Sequence, residues 1–228
     1  MKVETGYYAQ KLNSGKLYEV YRTRIPRVIR YLQAEIDFVR GHLRGEEKVL
    51  ELGAGYGRIM KELAPFLLRI TGIDIAEQSV AFGKEYLKEI PNCTIEVMDA
   101  HSPKFDETFD VVLCLQNGLS AIKGDPENLI RRSVRLLAEG GKAFFSSYSP
   151  KFWEHCLAWF REQADRGLLG EIDMEKTGNG RIVCKDGFTA TTFDLRDMER
   201  LGELSGCRYR VEEVEESSIF LILFKDPE

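Results

Sequence analysis

Three glycines at alternate positions, Gly53, Gly55 and Gly57, close the segment Val49-Leu50-Glu51-Leu52-Gly53-Ala54-Gly55-Tyr56-Gly57-Arg58. Glycine lets a chain turn sharply between a strand and a helix, and lets a ligand lie against bare backbone. A tight turn alone accounts for such a loop, so a binding role needs a second group. Asp74 supplies one, about 20 residues beyond Gly53, where nucleotide-binding α/β folds place an acid that accepts from ribose hydroxyls. A cap on the helix that starts near Ala76 is the plain alternative, and the two roles are compatible. Asp99 and Ala100, after a further apolar run, put another polar group along the same edge. The third glycine comes one residue too early for the G-x-G-x-x-G pattern of dinucleotide folds, which disfavours a nicotinamide oxidoreductase.

Other side chains in this region have types suited to chemistry. His101 is placed to lean on a bound ligand or to act as a base near neutral pH, with a half-exposed loop histidine as the alternative. Gln116 and Asn117 follow one apolar run and Tyr148 ends another, so all three border the same crevice; for Tyr148 the alternative is packing. The five cysteines, Cys93, Cys114, Cys156, Cys184 and Cys207, form no C-x-x-C pair and sit mostly in apolar segments. Reduced thiols of a cytoplasmic protein, with no metal site and no disulfide framework, are the expectation.

The elements that must hold these groups alternate in type. Strands are expected over 48–51, 70–75, 93–98, 109–115 and 142–147, and helices over 58–66, 77–89 and 126–138, the last ended by Gly140 and Gly141. The run 109–115 is apolar without alternation, as in a parallel strand covered on both faces. Strands and helices alternating this closely build one doubly wound sheet. An amphipathic helix over 27–43 precedes it. The segment before that helix carries Tyr7, Tyr8, Tyr18 and Tyr21 with Arg22 and Arg24, and has no core of its own to join, so it is expected to act as a lid.

Beyond residue 150 the pattern changes. Phe152, Trp153, Trp159 and Phe160 lie on a helix, as core or as part of a lid. Short strands over 172–192 are broken by Asn179-Gly180 and Asp186-Gly187, both hairpin signals. A helix over 195–204 and an antiparallel pair, 208–214 with 218–224, end the chain. Glu212, Glu213, Glu215 and Glu216 read as a solvated strand edge.

The chain has 228 residues, 43% hydrophobic and 30% charged, which excludes a collagenous or disordered protein. A net charge of -5 gives no overall positive field and disfavours nucleic acid as a partner. No apolar run approaches the length of a bilayer span, so no membrane association is expected.

Five motifs in order, E-L-G-A-G-Y-G, G-I-D-I, M-D-A, F-D-V-V-L-C-L and L-A-E-G-G-K-A-F-F, resemble the class I S-adenosylmethionine-dependent methyltransferases over about residues 45–150. The resemblance implies a Rossmann-like, seven-stranded, mostly parallel sheet with an antiparallel C-terminal hairpin. It implies S-adenosyl-L-methionine as cofactor, its amino-acid part on the glycine loop of Gly53, Ala54 and Gly55, its ribose on Asp74 and its adenine amino group on Asp99, with Glu51, Ile75, Ala100 and Leu115 also at the cofactor. Cys114-Leu115-Gln116-Asn117-Gly118 is similar to the C-L-x-N-S of the glycine and sarcosine N-methyltransferase group. Aligning Tyr8 with that group's first cofactor-contacting tyrosine puts Tyr18 on an aromatic position. It puts Arg27 on an arginine that pairs with the cofactor carboxylate; a solvated helix arginine is the alternative. No catalytic residue is committed, and His101, Asn117 and Tyr148 are the candidates.

The expectation is a single methyltransferase domain, with a lid and helix over 1–44, a cofactor-binding core over 45–150, a helix and substrate cap over 151–193, and a last helix and edge hairpin over 194–228. Methyl transfer to N or O of a small molecule, held between lid and cap, is the expected reaction. A methyltransferase acting on protein or RNA is the alternative, with Arg22, Arg24, Arg27 and Arg30 as its only basic cluster.

Overall fold

The computed structural model describes residues 7–227. Helices α1 (Tyr7–Gln10), α2 (Ser14–Val20) and α3 (Pro26–Arg40) lead into β1 (Lys48–Leu52), α4 (Arg58–Leu63), β2 (Arg69–Asp74), α5 (Glu77–Tyr86) and β3 (Cys93–Val97). There follow β4 (Phe109–Cys114), α6 (Gly118–Ala121), α7 (Pro126–Leu136), β5 (Leu137–Tyr148) and α8 (Trp153–Asp165). The hairpin β6 (Arg181–Val183) and β7 (Thr189–Thr191), helix α9 (Leu195–Ser205) and strands β8 (Arg208–Val214) and β9 (Ser218–Phe224) complete the order.

One 7-stranded sheet has the order β3-β2-β1-β4-β5-β9-β8. Its first five strands are parallel, and β9 runs antiparallel to both β5 and β8. Successive apolar residues on the inner strands point to opposite faces, so each strand feeds two cores. Val49, Val111, Phe144 and Phe220 pack under α3, α4 and α5. Their neighbours Leu50, Val112, Phe145 and Leu221 pack under α7 and α9. Helix starts follow local chemistry: Asp125 accepts from the Glu127 N–H ahead of Pro126, and Asp194 and Asp197 form a reciprocal capping box on α9.

Two expectations need correction. The helix before β5 stops at Leu136, and the strand begins at Leu137 instead of residue 142. Leu137 pairs with Phe109 before the register slips, so that Val111 faces Lys142; Gly140, at φ 72°, lies inside this irregular stretch and ends no helix. The second correction concerns the N-terminal segment, which does join a core. Leu12, Val20, Val28, Tyr31 and Leu32 pack with Phe152, Trp159 and Phe160 of the α8 region and with Ile172, Ile182 and Phe188 of the insertion. Trp159 Nε1 donates to the Val20 carbonyl at 3.2 Å, and Arg166 Nη1 donates to the Glu19 carbonyl at 2.9 Å. Tyr7 stacks edge-on against Phe188, and its hydroxyl donates to Asp186 Oδ2 at 2.5 Å.

Among the described residues no helix is long and apolar enough to cross a membrane. Also among them, no group of three or more His, Cys, Asp or Glu side chains could hold a metal ion.

Leu12 is the measure of how firmly the N-terminal segment is docked, since its side chain is 1% exposed. Leu12→Ala should cost about 2 to 4 kcal/mol in urea unfolding, the usual range for emptying a core leucine site. A loss below about 0.5 kcal/mol, the level of an ordinary surface substitution, would show that the segment is not part of the fold.

Candidate functional site

The C-terminal ends of β1, β2, β3 and β4 meet around one cavity of about 520 Å³. Ligands of doubly wound sheets sit at this edge because the strand order reverses between β1 and β4 and leaves a crevice. Glu51, Gly53, Ala54 and Gly55 line it from β1, Asp74 and Ile75 from β2, Asp99, Ala100 and His101 from beyond β3, and Leu115 and Gln116 from beyond β4. Leu17 and Tyr21, from the N-terminal segment, reach the same cavity.

The glycine loop is shaped for close approach. Gly55 has φ 58°, and a Cβ there would stand 2.8 Å from Leu17 Cδ2, so any side chain is strained and pushes into the cavity roof. Gly72 does a related job one strand away. A Cβ on it would meet Ala54 Cβ at 2.7 Å, so the bare strand lets the loop settle on the sheet. Asp74 then ties the parts together: Oδ2 accepts from Gly55 N–H and Oδ1 from Ala76 N–H, both at 2.8 Å. Burial raises its carboxyl above the usual range, while those two donors pull the other way.

Asp99 Oδ1 accepts from the His101 N–H at 2.8 Å. The His101 ring is anchored as well, its Nε2 lying 3.1 Å from the Lys123 carbonyl, so Nε2 is the donor there and the ring serves as a wall. Lys123 Nζ donates to the Thr189 carbonyl at 3.0 Å, and burial first, then Arg181, lowers its pKa.

The least satisfied polar atoms lie at the glycine-loop end. Glu51 is 3% exposed, and its Oε2 has no hydrogen-bond partner. Arg58 Nε and Nη2 are also buried without a partner, while the guanidinium lies 4.8 Å from the Tyr21 ring centroid. Burial pushes the Glu51 carboxyl up to about 8, with Arg58 opposing the rise. A buried acid and a buried guanidinium, each with unfilled hydrogen-bonding capacity, leave polar atoms open to a ligand.

Several expected residues lie elsewhere. Arg27 stacks over Phe152 and donates to the Glu215 carbonyl, on α3 and away from the cavity. Tyr18 packs edge-on against Tyr56, Phe82 and Tyr86, so its ring supports the wall behind the loop, and Tyr21 is the tyrosine that reaches the cavity. The side chain of Tyr8 lies outside the described residues. Asn117 is buried, with Oδ1 accepting from Ser147 Oγ at 2.8 Å, and Tyr148 packs against Tyr31 and Phe152; neither lines the cavity. No residue of 172–193 lines it either, because that insertion packs on the N-terminal helices and meets the rim through the Thr189 carbonyl, which accepts from Lys123, and the Thr191 N–H, which donates to Ser120 Oγ. Glu213, exposed on the edge strand β8, also accepts from Ser149 Oγ and Lys151 Nζ. Arg58, Leu17 and Lys123 are among the cavity groups that spacing did not single out. The position of Arg58 directly after the last glycine was the available signal.

Strand order, glycine loop and edge acids define the class I methyltransferase fold. Residues 49–141 match the family described as a methyltransferase domain. The chain is 30% identical over 141 residues to a ubiquinone biosynthesis O-methyltransferase of Idiomarina loihiensis, covering 54% of this chain and 56% of that protein. It is 33% identical over 107 residues to the enzyme of that name from Stutzerimonas stutzeri, covering 44% of each. The chain thus spans about half the length of the curated relatives it matches. Among solved structures, DhpI in a complex with SAM and HEP superposes with a TM-score of 0.65 at 22% identity, covering 95% of this chain and 93% of that one. The N-methyltransferase NodS of Bradyrhizobium japonicum, bound to S-adenosyl-L-homocysteine, gives 0.60 at 16% identity, with 96% of each chain covered.

The raised Glu51 carboxyl fixes the sign of a pH effect. The unfolded chain ionises this group near 4.3 and the folded chain only near 8, so between those values the native state holds the extra proton. Stability contributed by the neutral form is present below about pH 4 and is lost as pH rises toward 8. The stability of the wild type measured against Glu51→Gln should therefore fall steadily from pH 5 to pH 8 in urea titrations. A flat difference would show that Glu51 ionises normally.

Proposed function

We propose that this protein transfers the methyl group of S-adenosyl-L-methionine to a nitrogen or oxygen of a small molecule. The observation that carries the reading is the orphaned pair at the glycine loop: a buried carboxylate oxygen of Glu51 beside unpartnered Arg58 nitrogens, in a cavity whose far wall carries Asp74 and Asp99. The amino-acid end of the cofactor is a zwitterion, so its carboxylate suits Arg58 and its ammonium suits Glu51. Asp74 keeps free lone pairs beyond its two backbone donors, enough to accept from ribose hydroxyls. Asp99, with Ala100 and Ile75, would hold the base, and Leu115 gives the cavity an apolar wall. Arg58 takes the role that the sequence suggested for Arg27. The similarity to ubiquinone biosynthesis O-methyltransferases supports this reading, as does the fold shared with NodS and DhpI, solved with S-adenosylhomocysteine and SAM.

When bound, the cofactor supplies an electrophilic methyl on a sulfonium. The chain's part is to exclude water, align the acceptor and bind the leaving cofactor. Leu17 and Tyr21 line the cavity from the N-terminal segment, and Gln116, whose Nε2 is buried without a partner, offers a donor to an oxygen of the acceptor. His101 belongs to the base-binding wall, with no part in proton removal. In this reading residues 45–150 form the cofactor-binding core of one domain, 1–44 its lid and first helix, 151–193 the helix and cap that brace the lid, and 194–228 the closing helix and edge hairpin.

Calorimetry with S-adenosylhomocysteine tests the site. The wild type should bind, Gly55→Arg should abolish binding, and Asp74→Ala should weaken it by about 1 to 3 kcal/mol. Arg58→Met should weaken binding about tenfold or more, the loss of a charge-assisted contact, whereas Arg27→Met should leave it nearly unchanged. Equal losses for the two arginines would sink the assignment, and preference for NAD would replace it with an oxidoreductase. The acceptor class is read from S-adenosylhomocysteine release on metabolite extracts and on purified RNA. Release on RNA alone, falling steeply with salt, would overturn the small-molecule reading.

A further inference from the structure

Helix α3 presents one buried stripe, Val28, Tyr31, Leu32, Glu35, Ile36 and Val39, and a carboxylate stands in the middle of it. Glu35 is fully buried and has no ion-pair partner within 4.0 Å among the described residues. Such a group costs several kcal/mol to desolvate unless its oxygens find donors. Both do. Oε2 accepts from the Gln116 N–H at 3.1 Å, and Oε1 accepts from Ser218 Oγ on β9 at 2.9 Å.

The residue held by Oε2 is unusual. Gln116 at φ 54° and Asn117 at φ 59° are consecutive non-glycine residues in the left-handed region, which costs energy and persists only when the surroundings enforce it. The enforcement is visible: Ser146 Oγ also accepts from Gln116 N–H at 2.8 Å, the Asn117 N–H donates to the Ser146 carbonyl, and Ser147 Oγ donates to Asn117 Oδ1. Every one of these groups except Glu35 belongs to β5 or to the turn itself. Glu35 is the one that couples the turn to the N-terminal helix.

We propose that Glu35 is a positioning residue, which holds the left-handed Gln116–Asn117 turn so that the Gln116 side-chain amide stays on the cavity wall for the methyl acceptor. The inference rests on the methyl-transfer reading for the acceptor, and on the geometry alone for the turn. Ionised Glu35 grips the Gln116 N–H, and protonated Glu35 grips it less, so the turn loosens as pH falls. Burial sets that transition near neutrality, pushing the carboxyl up to about 7 against the pull of Ser146, Ser218, the Gln116 N–H and Arg58. The other titratable groups that sense Glu35 are Tyr21 from beyond α2, Tyr31 on its own helix, and Cys114 at the end of β4; all three are pushed up by burial and stay neutral across this range.

The backbone amide of Gln116, followed by proton–nitrogen NMR in the full chain from pH 6 to 8.5, reads the contact directly. In the wild type its shift should titrate with a midpoint near 7, and in Glu35→Gln it should stay flat. Ser218→Ala, which keeps Glu35 and deletes a donor to its ionised form, should move the midpoint up by about half a unit or more. A Gln116 amide that does not titrate in the wild type, or that titrates unchanged in Glu35→Gln, overturns the proposal. So does an unmoved midpoint in Ser218→Ala, the variant that decides the matter if Glu35→Gln does not fold. Binding of S-adenosylhomocysteine to the wild type is measured separately, so a failure of the methyl-transfer reading is seen there and not in the Gln116 titration.

Discussion

Two hydrogen bonds of 2.8 Å, which Asp74 accepts from the N–H groups of Gly55 and Ala76, fix the corner on which the cavity is built. One side chain at the end of β2 holds the loop that leaves β1 and starts the chain toward α5. Without it the glycine loop has no anchor on its ligand side, since glycines contribute no side chains and gain conformational freedom when released. Gly72 answers from within the same strand by leaving room for Ala54. The acid and the bare strand position act as one device: the first holds the loop down and the second lets it come close.

Around that corner the molecule keeps polar atoms in places that hydrophobic packing would otherwise take. Glu35 and Glu51 are both buried, and burial raises both carboxyls toward or above neutrality. They differ in partners. Glu35 has donors on both oxygens and works as a structural tie, while Glu51 keeps one oxygen unsatisfied beside an equally unsatisfied Arg58. An unpaired buried group is expensive, so its cost must be offset by a ligand or by the fold's other contacts. That difference distinguishes a carboxylate left open at the cavity from one fully engaged by the fold.

The third core changes how the cavity is closed. Leu12 and Val20 share buried contacts with Phe160 and Phe188, and Arg166 and Trp159 hold the backbone of the same segment by hydrogen bonds. The N-terminal helices and the insertion form one cap, with Leu17 and Tyr21 as its contribution to the cavity. An aromatic-rich stretch without a core on either side in sequence found one by pairing with another such stretch about 150 residues later. Burial of apolar area against a distant segment is the dominant favourable term available to both.

Periodicity and turn residues placed the alternating strands and helices, the apolar strand β4 and the closing hairpin of β8 and β9, while the family resemblance of the ordered motifs implied the seven-stranded sheet and put Glu51, Gly53, Gly55, Asp74 and Asp99 at its ligand edge. These depend on local rules: glycine where the backbone must turn, apolar runs where both faces are covered, and an acid where a parallel strand ends. Arg27 and Arg58 were not separable in that way. Both are helix arginines near a helix start, and only packing shows that one donates to the Glu215 carbonyl while the other stacks on Tyr21 at the glycine loop. The same holds for Tyr18 against Tyr21, and for Asn117 and Tyr148, which the turn and the third core draw away from the cavity. Glu35 was hidden altogether, as one polar residue in an amphipathic helix whose partners, Gln116 and Ser218, lie 81 and 183 residues further along. Sequence alone determined the scaffold and its ligand edge because those follow from short-range pattern. Tertiary structure decided which side chains face the cavity, because that depends on contacts between segments far apart in the chain.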